Sequence, residues 1–288
     1  MFFWLLTAKM IRSKKELQFK YLGMPFSKLE EICGNIDKYY YSFDIPKEDE
    51  LGRPKTVNGV VQKRTINASR GVLEELQKKI LQKILEPNFL MPIHVQGGVK
   101  GKDNISHARV HQGRKFRFAT DIKSFYPSIS EDRIKGKLLG LGFSKPIAWA
   151  LTSLTTYRGE LAQGVCTSTF LANLVFLDTD MEILEYISGH DIKYSRWVDD
   201  LHFSSPQDFQ ELTNGIVEVI TKDGFAVSRK KTTYRSKKSA ITGVLVGNNG
   251  LNVTEKFRNK GLLDLTEDQK MGRENYYDRV KSNKREKK

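Results

Sequence analysis

The chain has 288 residues and a formal net charge of +14, from 48 Lys and Arg against 34 Asp and Glu. An excess of this size points to a polyanionic partner, most often nucleic acid. The hydrophobic content of 39% is ordinary for a globular chain, and the 2 cysteines, Cys33 and Cys166, exclude a disulfide framework or a zinc spacing, as expected of a cytoplasmic protein.

The opening MFFWLL is too short an apolar run to span a bilayer and has no basic residues ahead of it, so a docked terminal segment is expected rather than an anchor or signal. Residues 1–50 read as helices with an aromatic surface, YYYSF at 39–43 included. Gly52, Pro54 and Gly59 punctuate a hairpin ending in VVQKRTIN, which places Lys63 and Arg64 on a strand. Val72, Leu73, Leu76, Ile80, Leu81, Ile84 and Leu85 then recur at helical spacing up to Pro87, a core stripe. The glycine-rich loop at 96–105 lacks the GxxxxGK[ST] phosphate pattern and is either a basic contact loop or a connector. His107 and His111 stand at i, i+4, but no third ligand for zinc follows at a sensible spacing.

KFRFATDIKSFYPSI carries a strand that alternates through Phe116, Phe118 and Thr120 and ends on Asp121. Short helices are expected at 131–142 and 146–157. A long helix follows the Gln163–Gly164 loop through Leu171, Leu174, Val175, Met181, Leu184 and Ile187, and its polar start suits a nucleotide or template phosphate. In YSRWVDDLHFSS, at 194–205, two alternating runs flank Asp199 and Asp200. A hairpin carrying two acids at its tip suits a hard divalent cation, which takes oxygen ligands and leaves room for substrate phosphates. Taken alone, the pair reads first as a surface Asp-Asp turn, which is common. A helix is expected at 206–223, then a strand ending in Lys230 and Lys231. AITGVLVGNNGLNV reads as a hairpin with a type I′ turn at Asn249–Gly250. Residues 270–288 hold eight Lys and Arg against three acids, a basic end for phosphate contact or for solvation. There is no internal repeat.

In this order the motifs resemble those of the reverse transcriptases, in particular the bacterial retron-type branch, over roughly residues 55–254. The carriers are QKRTIN, DIKSFYPSI, LAQGVCTSTFLANL, WVDD and the Lys231–Thr232 pair. Two elements are near matches to retron features. HARVH at 107–111 stands where the branch has Asn-Ala-x-x-His, and Ile241-Thr242-Gly243 stands where it has Val-Thr-Gly. The resemblance implies an α+β right-hand polymerase. Its fingers would cover 1–113, with fingers and palm helices at 131–158. The palm, an antiparallel sheet packed on helices, would cover 114–130 and 159–247, and a short thumb with a basic tail 248–288.

The resemblance also implies Mg²⁺-dependent DNA synthesis on RNA from dNTPs. Two ions would be held by Asp121 and Asp199, with the Ile122 carbonyl as a further ligand and Asp200 at the edge. Lys63 and Arg64 would hold the triphosphate, Tyr126 would gate against a 2′-hydroxyl, and Gln163 and Gly164 would meet the incoming nucleotide. Lys231 would protonate the leaving pyrophosphate or is a surface strand lysine. Trp197, His107, His111, Thr242 and Gly243 would contact primer or RNA, with strand packing the alternative for Thr242. Three departures stand out: Trp197 replaces a Tyr, Ala162 and Thr169 replace prolines, and the part after 254 is short for a thumb, so RNA or a partner would complete the grip.

A retron-type enzyme further implies a structured noncoding RNA as template and primer source, synthesis from a guanosine 2′-hydroxyl, and an RNA-linked single-stranded DNA product. It implies a role in bacterial antiphage defence with a separate effector protein, in the cytoplasm and away from membranes. Alternatives are another defence-associated or abortive-infection reverse transcriptase and an inactive RNA-binding scaffold. A nucleotidyl cyclase would need a Gly-Gly-acid-acid-Phe hairpin that is missing, and a group II intron protein would need room for further domains.

Overall fold

The computed structural model describes residues 10–48, 53–236, 239–259 and 265–282. The MFFWLL segment and residues 283–288 of the basic tail lie outside them. The chain forms two compact units, one from Met1–Lys47, Pro54–Pro92 and Ser124–Asp178, the other from Glu48–Arg53, Ile93–Lys123 and Thr179–Lys288. Both mix helix and sheet, as an α+β fold requires.

In the first unit, β1 (Tyr40–Pro46) and β2 (Lys63–Ser69) form an antiparallel ribbon with Tyr40 opposite Ser69 and Pro46 opposite Lys63. The helical expectation is therefore corrected from Tyr40 onward, while Tyr39 closes a 3₁₀ turn over Ile36–Tyr39. Aromatic and β-branched residues fit a pleated surface, and β2 supplies the ladder partners that a helix would have had to find internally. Lys63 and Arg64 lie on a strand, as expected, and both are exposed. The apolar stripe that follows is a helix over Val72–Lys79 that widens into a π-helical segment over Ile80–Leu85. Leu73, Leu76, Ile80, Ile84 and Leu85 are buried. Gln77 sits among them with no exposed surface, and its amide is satisfied: Nε2 donates to the Tyr40 hydroxyl at 3.1 Å and to the Leu154 carbonyl at 2.8 Å, while Oε1 accepts from Ser69 at 2.5 Å. Helices Glu131–Gly140 and Lys145–Thr155 match their sequence-based spans closely.

The second unit is built on a four-stranded antiparallel sheet. Its strands are β3 (Phe116–Asp121), β4 (Lys193–Trp197), β5 (Asp200–Ser205) and β6 (Thr233–Arg235), in the order β6-β3-β5-β4. Phe118, Phe203 and Tyr194 stack in a row across neighbouring strands, with ring centroids 5.6 and 4.7 Å apart. The expected helix at 206–223 is a short 3₁₀ turn followed by the helix Thr213–Lys222, which buries Ile216 and Ile220. A second core gathers Ile105 and Ala108 of the helix Asn104–Val110, Val280 of the helix Glu267–Lys281, and the meander β7 (Ser239–Ile241), β8 (Val244–Val246) and β9 (Leu251–Val253).

Turn chemistry in this meander departs from expectation. Thr242 and Gly243, at φ 46° and 79°, form the two-residue left-handed turn between β7 and β8. Asn249 and Gly250 are not left-handed, so the β8–β9 hairpin closes through Gly247–Gly250 without a type I′ turn. Lys231 is also relocated. It lies in a turn between the Ile122–Val227 bridge and β6, with its backbone N–H donating to the Ser228 carbonyl at 2.9 Å, rather than at a strand end. Among the described residues no helix is long and apolar enough to cross a membrane.

Candidate active site

Antiparallel register brings the acids together. Asp121 ends β3 and pairs with Asp200, the first residue of β5, while Asp200 also faces Trp197 across the β4–β5 turn. The turn itself is Val198–Asp199, and the Asp199 carbonyl accepts from the Ile122 N–H at 2.9 Å. Ligand oxygens of Asp121, Asp199 and Asp200 lie within 4.8 Å of one another, which among the described residues makes them the converging set of metal-ligating side chains.

The electrostatics fit a cation. Burial, then the charge of Asp121, pushes the Asp199 carboxyl up, and burial with the charges of Asp199 and Asp121 pushes Asp200 to about 7. Carboxylates held this close ionise together only with positive charge among them. An oxygen-only donor set is the kind that Mg²⁺ takes, so the residues suit a divalent ion of that type. Lys231 supplies one positive charge from the protein: its Nζ donates to Asp121 Oδ2 at 2.5 Å. Burial works to lower its pKa, but the Asp121 hydrogen bond and the three carboxylate charges keep it raised.

Beneath the hairpin lies a set of residues that the sequence did not single out. Asp180 and Arg196 are both fully buried and paired, and the Asp180 carboxyl is held down to about 2: burial works against this, and Arg196 overrides it. Tyr194 donates to Asp180 Oδ1 at 2.6 Å, and His94 Nε2 stands 3.4 Å from Oδ2. Gly97 lies against the turn, where a Cβ would sit 2.6 Å from the Val198 nitrogen. An aspartate late in a long apolar helix and an arginine inside a strand carry no local signal, since each gains meaning only from the other.

His107 and His111 are fully buried, so contact with RNA is not what their rings make here. His107 stacks on Trp197, centroids 5.7 Å apart at 20°, and its Nδ1 hydrogen-bonds the Thr242 hydroxyl at 2.8 Å. Trp197 thus has a protein ring against one face. His111 uses both ring nitrogens, on Ser204 and Ser195 at 2.7 Å each, and so staples β4 to β5 and keeps no lone pair for zinc. His202 completes the cluster, its ring 5.2 Å from His107 and 6.0 Å from His111.

These histidines make stability depend on acid. Burial pushes His202 down to about 4, and burial with His202 pushes His107 to about 3. The folded values lie below the ordinary 6.5, so the unfolded chain binds more protons between the two. The contribution is whole above pH 6.5 and is lost as pH falls towards the folded values, at about 1.4 kcal/mol per pH unit for each histidine. Asp200 acts with the opposite sign, so the test is a difference: urea unfolding of wild type and His202→Gln between pH 7 and pH 5. A shallower slope in the variant is expected, and parallel slopes would exclude the effect.

In the first unit, the Gln163 carbonyl accepts from the Asn67 N–H of β2 at 2.8 Å. Gly164, at φ 112°, lets this loop lie on β2, since a Cβ there would meet Ile66 Cγ2 at 2.5 Å. Gln163, Gly164, Lys63 and Arg64 therefore belong to one local assembly. Tyr126 donates to or accepts from Thr169 at 2.8 Å, which gives the residue at the proline position a partner.

No protein-family model matches the chain. Curated relatives do. The retron Se72 reverse transcriptase of Salmonella heidelberg is 28% identical over 249 residues, covering 82% of this chain and 62% of that protein. The retron Ec86 reverse transcriptase of Escherichia coli is 27% identical over 201 residues, 68% of this chain and 62% of that protein. The retron Mx65 reverse transcriptase of Myxococcus xanthus is 28% identical over 249 residues, with 78% and 56% covered. The chain thus spans about three fifths of the length of the relatives it matches. Over most of its own length it is similar to the retron-type reverse transcriptases.

Proposed function

We propose that this chain is an RNA-directed DNA polymerase of retron type, and that Asp121, Asp199 and Asp200 are its catalytic acids. The observation that carries this reading is the convergence of three carboxylates, two paired on adjacent antiparallel strands and one in the turn beside them, joined to the similarity to retron reverse transcriptases. Under this reading the second unit's sheet belongs to the palm over 114–130 and 159–247, with fingers over 1–113, fingers and palm helices at 131–158 and a short thumb from 248.

In the reaction a 3′-hydroxyl attacks the α-phosphorus of a dNTP and pyrophosphate leaves. Two Mg²⁺ ions bound here would stabilise the attacking and leaving oxygens. Asp121 and Asp199, with the Ile122 carbonyl, would hold them, and Asp200 would adjust the charge at the edge. Lys231, kept protonated beside Asp121, has a proton to give the leaving group. Lys63 and Arg64 hold the triphosphate, with Gln163 and Gly164 at the nucleotide. Trp197, Thr242 and Gly243 are the candidate contacts to primer and RNA, with His107 and His111 acting by holding them or their strands. A dedicated structured RNA as template and primer source, an RNA-linked DNA product, cytoplasmic antiphage defence and a separate effector follow from the retron similarity as part of the same proposal.

The test is extension of an oligo(dT) primer on poly(rA) with dTTP, with and without Mg²⁺. Metal-dependent incorporation supports the reading, and RNA binding without incorporation favours the inactive scaffold. Tyr126→Ala provides a finer check. Ribonucleotide incorporation relative to dNTP is expected to rise by about tenfold or more, the cost of removing a steric contact of a few kcal/mol. Unchanged discrimination would remove Tyr126 from the gate.

A further inference from the structure

Arg196 uses all three guanidinium nitrogens inside the protein. Nε and Nη2 donate to the two carboxylate oxygens of Asp180 at 3.1 and 2.8 Å, and Nη1 donates to the Val198 carbonyl at 2.9 Å. Its backbone is fixed as well: the N–H donates to the His94 carbonyl at 2.8 Å, and its carbonyl accepts from Gln96 at 2.8 Å and Gly97 at 3.3 Å. The residue so held, Val198, has φ 58°. A β-branched side chain in the left-handed region is strained, and such strain persists only where surrounding contacts impose it. Asp199 is the next residue, and Asp200 follows it.

An ion pair with no exposure is a poor source of folding stability, because an apolar pair of similar volume often does as well. An apolar pair could not hold the Val198 carbonyl. We infer that the Asp180–Arg196 pair is a positioning device. It holds the Val198 turn in its strained form so that the carboxylates of Asp199 and Asp200 meet that of Asp121. The inference rests on the polymerase reading. It assigns Arg196 and Asp180 to the reaction without contact with substrate.

The deciding variant is the double substitution Asp180→Asn with Arg196→Met. It leaves no unpaired buried charge and keeps an acceptor for Tyr194. Steady-state extension on poly(rA)/oligo(dT) should show kcat down about tenfold or more, since small displacements of catalytic groups cost this much. KM for dTTP and the thermal midpoint should stay near wild type, and half-activation by Mg²⁺ should move to higher concentration. Adding Val198→Gly should recover part of the kcat, because glycine adopts a positive φ without being held. A purely structural pair would show no such recovery. If the double variant does not fold, Arg196→Lys carries the test, since it keeps a cation beside Asp180 and cannot also serve Val198. A folded variant with wild-type kcat overturns the inference, as does a loss of kcat that tracks a lowered midpoint and ignores Val198→Gly. Wild-type extension with an unaffected variant removes this inference alone, and absence of extension by the wild type removes the polymerase reading together with it.

Discussion

Asp199→Ala combined with Asp200→Ala should reduce nucleotide incorporation by a factor on the order of 10³ or more, while RNA binding stays close to wild type. The size follows from removing two of three converging carboxylates in a site proposed to stabilise charge as it develops, where losing even one stabilising group costs about 10²–10³. Under the proposed function, RNA binding would draw on the +14 net charge of the chain, and removing two acids would not weaken it. The same site predicts an unusual stability result. Without metal the three acids repel, and Asp200 is pushed to about 7 from an ordinary 3.8. A folded value above the unfolded one means that the folded chain binds the extra proton. The penalty is absent below pH 3.8, grows as pH rises, and is complete above about 7. Asp200→Asn should therefore stabilise the metal-free protein by a few kcal/mol at pH 8 and by little at pH 4. Thermal unfolding at both pH values with chelator present checks this, and equal shifts at the two would sink the electrostatic account. Persistent incorporation by the double alanine variant would dismiss the three acids as the catalytic centre.

Gly97→Ala should be the most damaging substitution outside the acids, lowering kcat by about a hundredfold, the usual cost of an ångström-scale displacement. A Cβ at this position would lie 2.6 Å from the Val198 nitrogen, 2.8 Å from Val198 Cγ2 and 2.9 Å from the Trp197 carbonyl carbon. Two of the three are backbone atoms in the turn that carries Asp199, so relief of the clash must move the turn. Overpacking of this kind costs about 1–3 kcal/mol in stability, which leaves a folded protein to assay. Gly101→Ala is the control. At φ +80° with open space around it, it suffers backbone strain of about 1 kcal/mol and no clash, and should keep wild-type kcat. Equal activity in the two variants would mean that the turn tolerates displacement.

Much of the site was legible in the sequence because its signals are local. Alternation ending on Asp121 and alternation on both sides of Asp199 and Asp200 specify one strand and a hairpin, and antiparallel pairing then brings the acids together. Gln163–Gly164 before a long apolar helix is equally local. What stayed hidden depends on distant partners. Asp180 and Arg196 look like a helix-surface acid and a strand cation until each supplies the other's charge. His107 and His111 look accessible until His202 and Trp197 close over them. Asn249–Gly250 has the stronger local preference for a left-handed turn, yet Thr242–Gly243 adopts it.

That last choice bears on how the protein folds. Threonine is a poor occupant of a left-handed position, so the Thr242–Gly243 turn receives little help from its own sequence. Its support comes from far away in the chain: Asn104 donates to the Thr242 carbonyl at 3.1 Å across 138 residues, and His107 meets the Thr242 hydroxyl across 135. A hairpin with an asparagine-glycine turn can nucleate in microseconds on local contacts alone. The β7–β8 hairpin instead has to wait for the Asn104–Val110 helix to be in place, and closing so long a loop is an entropic delay that local structure cannot shorten. This corner of the second unit is therefore expected to form late, after the strands that carry the acids.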